Sequence, residues 1–173
     1  MTSSLSFSLV RAFALSASLF AAGATQAHVT LEYQVAHAGS GYKASFKVGH
    51  GCGAFGTRQL VVDIPAGVRS AHPMPKPGWQ LATEQAAGDV ARVTWTARSG
   101  DAVLASAHYD EFVLVARMPD QAGTLYWPVR QVCEEGHADW VDIPAPGQKL
   151  SDLKAPAALL EVLPAGGAGG HSH

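Results

Sequence analysis

The stretch YKASFKV, residues 42–48, sets Tyr42, Ala44, Phe46 and Val48 on one side of an extended chain and Lys43, Ser45 and Lys47 on the other. A period of two is the pattern of a half-buried strand, because successive side chains leave opposite faces. QLVVDI (59–64), VARVTWT (90–96), EFVLVARM (111–118) and TLYWPVR (124–130) have the same character, with the β-branched and aromatic residues that fit a pleated surface. Pro128 lacks an N–H, which predicts a sheet edge or a bulge there. Between these runs, AGSG, GHGCGAFG, IPAGV, HPMPKPGW, AAGD, MPDQAG and IPAPGQ read as turns. His37 and His72 fall in such turns and read as solvated. Helical character is confined to PAALLEVL, residues 156–163. About eight short strands at Greek-key-like spacing predict an all-β fold, an immunoglobulin-like or cupredoxin-like Greek-key β-sandwich.

Residues 1–27 read as a signal peptide: one charge, Arg11, precedes an apolar run from Ala12 to Ala22 that is shorter than the ~20 residues a bilayer span needs. Thr25 and Ala27 supply the small side chains for cleavage after Ala27, with cleavage after Ala22 or Ala24 as the alternative. A chain trimmed after Ala27 begins at His28 and is expected in the periplasm. Residues 28–164 then form one domain, and 165–173, AGGAGGHSH, a flexible tail with no means of burying apolar area. The formal charge of −2 becomes −3 when Arg11 leaves, which argues against nucleic acid as a partner. The mature chain has no second apolar span to cross a membrane.

Cys52 and Cys133 are the only cysteines, and an even pair in an exported chain favours a disulfide over a metal or redox pair.

His28 as first residue has unusual chemistry. Its α-amino nitrogen and its imidazole Nδ1 hang from one Cα and can close a six-membered chelate on one metal ion. Both shed their protons near neutrality, at roughly 7.7–8.0 for the amine and roughly 6.5 for the ring, so a cation displaces them at modest cost. Nitrogen donors in a plane suit Cu(II).

The blocks HVTLEYQVAHAGSGYKASFKVGHGCG, DIPAGV, PMPKPGW, VTWTA, HYDEFVLVARMP, LYWPVRQVCEEG and DWVDIP together resemble the YcnI-like family of exported copper-binding domains, over nearly all of residues 28–163. The resemblance implies a cupredoxin-like or immunoglobulin-like sandwich that binds Cu(II) through its first histidine, a monohistidine brace completed by a glutamate and a tryptophan. The brace histidine matches His28, and the tryptophan matches Trp140 in DWVDIP, where it would shield the ion. The sequence departs from the family at the glutamate: a P-x-E context is replaced in YQVAHAG by Tyr33 and Val35. Glu32 is the nearest carboxylate and shares a face with His28 if the strand is regular from Val29, which makes it the expected substitute.

Other residues weigh less. His50 in GHGCG reads as structural beside the disulfide, with an auxiliary metal role as the alternative. His108, Asp110 and Glu111 in HYDEF diverge by alternation, so they read as a loop entering a strand. Met74 in a proline-rich loop reads as surface packing. His171 and His173 are candidates for loose metal capture on the tail. The function expected is therefore a non-enzymatic periplasmic copper chaperone or buffer that passes its ion to another exported copper protein or a membrane copper transporter. The alternatives are a copper-dependent oxidative enzyme of the monooxygenase type, needing a second imidazole from His50 or His108, and a structural sandwich with a vestigial metal site.

Overall fold

The computed structural model describes residues 28–166; the leader and the His171/His173 tail lie outside the described residues. In chain order the strands are β1 (Thr30–Leu31), β2 (Val35–His37), β3 (Gly41–Val48), β4 (Thr57–Asp63), β5 (Arg69–Pro73), β6 (Trp79–Ala86), β7 (Asp89–Ala97), β8 (Asp110–Arg117), β9 (Gly123–Trp127), β10 (Val129–Cys133), β11 (His137–Trp140) and β12 (Ala158–Leu163). They form a four-stranded sheet ordered β1-β3-β8-β5, a five-stranded sheet ordered β11-β10-β4-β7-β6 and a three-stranded sheet ordered β2-β12-β9.

The alternation in β3 fixes which way the four-stranded sheet faces. Tyr42, Ala44, Phe46 and Val48 are all buried, and the inner face of this sheet meets both of the others. Phe112 on β8 takes Trp79 and Trp95 of the five-stranded sheet edge-on, with ring centroids at 4.9 and 5.7 Å. Phe46 meets Trp127 of the three-stranded sheet at 5.7 Å. Aromatic pairs in this geometry add to the burial of their large surfaces, so the core lies between the four-stranded sheet and the other two. Ser45, on the outer face as expected, is nonetheless buried and donates its hydroxyl to Glu111.

Three expectations are corrected. PAALLEVL is not helical: Ala158, Leu160 and Val162 point into the core, and β12 pairs antiparallel with β9 and parallel with β2. A strand paired on both sides satisfies its backbone and buries every second residue, which outweighs the modest helix preference of Ala, Leu and Glu. His37 and His72 lie in β2 and β5 rather than in turns; His37 Nδ1 lies 3.1 Å from the Pro164 carbonyl. Pro128 follows β9, which is an edge strand of its sheet as expected, but residues 124–130 form two strands rather than one. It separates β9, in the three-stranded sheet, from β10, which lies between β11 and β4 in the five-stranded sheet. The missing N–H ends one ladder, while the Pro128 carbonyl accepts from Asp63 N–H at 3.0 Å and begins the next.

The Cys52–Cys133 disulfide is formed. It fastens the GHGCG turn to the end of β10. Gly51 makes this turn possible: a Cβ there would sit 1.9 Å from the Phe55 carbonyl oxygen. That close approach lets Cys52 and Phe55 exchange backbone hydrogen bonds at 3.0 and 3.2 Å.

Candidate metal centre

β1 and β11 are edge strands of different sheets, and their ends meet in the contact between His28 and Trp140. On the β1 side, Val29 and Leu31 are buried, Leu31 pairs with Phe46 and Thr30 with Lys47, and Glu32 N–H donates to the Ser45 carbonyl at 3.0 Å. Burial of Val29 fixes the chain directly beside His28, which is itself half-buried. The imidazole lies 5.1 Å from the Trp140 ring, tilted by 57°.

Trp140 closes β11 opposite Val129 and is only 5% exposed. Its indole N–H donates to Gln131 Oε1 at 3.3 Å. Gln131 is the middle of three inward positions on β10, between Val129 and Cys133, and is 1% exposed. Its amide nitrogen donates to the His50 carbonyl and to Thr57 Oγ1, both at 2.7 Å. One buried amide thus links β11, β4 and the GHGCG turn. His50 Nδ1 lies 2.7 Å from the Gly51 carbonyl.

Gln131 and Thr57 were not legible as site residues. The signal available was a glutamine at an inward position of an otherwise apolar alternation, where a polar group must find partners.

Glu32 follows β1, and its carboxylate pairs with Lys47 Nζ at 3.0 Å. An extended chain covers roughly 13 Å over four residues, so sharing a face with His28 does not by itself bring their donors together. The HYDEF residues diverge as alternation predicts. Asp110 accepts from Lys76 at 2.7 Å, whereas Glu111 accepts from Ser45 and, at 2.6 Å, from Tyr109. These two hydroxyl donors hold the Glu111 carboxyl below its ordinary range, and the same contact pushes Tyr109 up to about 12. Met74 is exposed, and its carbonyl accepts from the Trp95 indole at 3.0 Å. Among the described residues no three His, Cys, Asp or Glu side chains gather at metal-binding distance.

A protein-family model described as "Domain of unknown function (DUF1775)" matches residues 28–162. The chain belongs to this family. It is the YcnI-like family that the sequence blocks resemble. The DUF1775 domain is 28% identical to "Copper-binding protein CutI" of Bacillus subtilis (strain 168) over 118 residues, 68% of this chain and 56% of that one. The match spans little more than half the length of that relative. The DUF1775 domain also superposes on an uncharacterized protein from Nocardia farcinica, whose crystal structure has an immunoglobulin-like fold, with a TM-score of 0.67 and 27% identity over 78% of this chain and 97% of that one. The fold is accordingly an immunoglobulin-like all-β sandwich. Among the described residues no helix is long and apolar enough to cross a membrane.

Proposed function

We propose that this DUF1775 protein is a periplasmic Cu(II) carrier, a chaperone or buffer whose cargo is held by the amino group and imidazole of His28 after removal of residues 1–27. The contact between His28 and Trp140 carries this reading: the ring that would bind the ion rests against a buried indole at 5.1 Å. Two further observations support it, the family match that starts at residue 28 and the likeness to a copper-binding protein of Bacillus subtilis.

The donor chemistry fits the cargo. An amine and an imidazole on one Cα pre-pay the ordering of two ligands, and the divalent affinity order favours copper for nitrogen donors. Trp140 would cover one side of the ion. The carboxylate we assign is Glu32, which on this reading exchanges Lys47 for the metal. His50 is an auxiliary candidate, since its carbonyl is joined through one amide to the Trp140 indole, and the tail histidines His171 and His173 are candidates for delivering the ion to it. The receiver would be another exported copper protein or a membrane copper transporter.

The same contact supports carriage over catalysis, because an indole against the brace ring would obstruct the open copper face that oxygen and substrate need. Reductant-dependent peroxide consumption by the copper-loaded protein would reverse that conclusion.

The test is a Cu(II) binding isotherm on protein beginning at His28. One tight equivalent is expected, lost both in His28→Ala and when a single residue is added ahead of His28. Tight binding that survives the added residue would remove the brace. Unchanged affinity in Glu32→Gln would remove Glu32 alone.

A further inference from the structure

We infer that Gln131 is a positioning residue for Trp140: its buried amide fixes the indole in the orientation that faces His28. The copper consequence of this inference rests on the function proposed above, whereas the geometry does not.

Three observations carry it. First, Gln131 is one of three buried polar residues in the described chain, with Ser45 and Thr57. A primary amide taken out of water is costly unless its donors and acceptor are used. Second, both ends are used, and differently. Oε1 accepts from Trp140 at 3.3 Å, and Nε2 donates to the His50 carbonyl and Thr57 Oγ1 at 2.7 Å each. The two donated bonds fix which way the amide points, because a flipped amide would set its oxygen against the His50 carbonyl and its nitrogen against the indole N–H. The acceptor therefore faces Trp140 and no other arrangement of the amide satisfies all three partners. Third, the partners are themselves held. His50 lies two residues before Cys52 and Gln131 two before Cys133, and these cysteines are joined. The disulfide thus keeps the carbonyl and the amide within reach of each other.

Trp140 has few other restraints on its ring orientation from polar groups, since its indole has a single N–H and that N–H ends on Gln131. Trp140 is packed in the core, so removing the acceptor leaves a buried N–H without a partner and favours a shift of the indole toward another acceptor, away from the orientation that faces His28. Gln131 contacts neither the amine nor the imidazole in any hydrogen bond described for it, so it acts through Trp140. Outer residues that orient a metal site in this way typically contribute 10–100-fold to affinity.

The experiment uses protein beginning at His28, read in two ways. In the metal-free protein, exchange of the Trp140 indole proton with solvent is followed by NMR, the resonance being assigned by its loss in Trp140→Phe. Gln131→Met is expected to accelerate that exchange at least about tenfold, and Gln131→Glu, whose neutral acid keeps an acceptor for the indole and a donor for the His50 carbonyl, to restore protection at mildly acidic pH. With Cu(II) alone as probe, Gln131→Met is expected to weaken binding by roughly 10-fold and to add no further loss in a Trp140→Phe background. Unchanged exchange in a Gln131→Met protein with native far-ultraviolet circular dichroism overturns the inference, as does an equal loss of affinity with and without Trp140. Should Gln131→Met not fold, Thr57→Val carries the same test by loosening Gln131 from its far side: faster indole exchange upholds the inference and unchanged exchange overturns it. Wild-type protein that takes up no Cu(II), yet whose indole proton responds as expected, overturns the copper reading and upholds the positioning.

Discussion

The indole of Trp127 stands edge-on to the ring of Phe46, their centroids 5.7 Å apart, and among the described residues its N–H has no hydrogen-bond acceptor. Trp95, equally buried, donates to the Met74 carbonyl at 3.0 Å. Trp→Phe removes the same atoms at either position, so the two substitutions differ chiefly in the hydrogen bond. We expect Trp95→Phe to cost about 1–2 kcal/mol more than Trp127→Phe, measured by urea denaturation. Equal costs would show that the Trp127 N–H is satisfied by a partner such as the Phe46 ring.

Reduction of Cys52–Cys133 releases a crosslink between residues 81 apart. The loop-entropy estimate is on the order of 4 kcal/mol. The denaturant midpoint should fall accordingly when the protein is reduced, with an equivalent fall in the Cys52→Ala, Cys133→Ala double variant.

Gly51→Ala is expected to be among the most damaging single-methyl changes, since the added carbon meets the Phe55 carbonyl oxygen at 1.9 Å and backbone cannot step aside as a flexible side chain does. The expected loss is about 3 kcal/mol, the upper end of the usual range for overpacking. Gly49→Ala, where a Cβ meets nothing within 4 Å, is the control and should stay within about 0.5 kcal/mol of wild type in thermal melts.

Glu111 is held below its usual carboxylate range by Ser45 and Tyr109. A carboxyl with a lowered folded-state value stabilises the fold above its unfolded value, and that contribution disappears as pH falls through the folded value. Glu111→Gln should therefore destabilise the protein near neutrality, and its deficit against wild type should close as the pH falls below the ordinary carboxylate range and through the lowered folded value. A deficit independent of pH would assign the cost to packing.

Alternation made β3, β4, β7 and β8 legible as strands, whereas β6, exposed along most of its length, was not read from the sequence. In residues 42–48 the alternation itself names the buried side, and the structure buries Tyr42, Ala44, Phe46 and Val48 accordingly. The period of two was least legible in β12, where Leu159 and Leu163 on the outer side are also apolar and Glu161 alone marks that face. Local propensity then favours a helix, and only the neighbours β2 and β9 decide otherwise. Pro128 was legible as a sign of a sheet edge or a bulge and not as a change of sheet, because the missing N–H says where a ladder is interrupted but not which ladder follows. At the candidate site, His28 came from the cleavage motif and its chelate chemistry together with the resemblance, Trp140 from the resemblance alone, and their rings lie 5.1 Å apart. Gln131 escaped notice because its importance lies in three partners drawn from residues 50, 57 and 140, a convergence that exists only after folding.

The passage of the chain through Pro128 has a mechanical outcome. One residue separates a strand of the three-stranded sheet from an interior strand of the five-stranded sheet, so tension in either is transmitted to the other through a stiff ring with no slack. Separation of the two sheets at this point is expected to disturb both. The whole domain should lose its order in a single step, with tryptophan emission and backbone circular dichroism tracing the same melting curve.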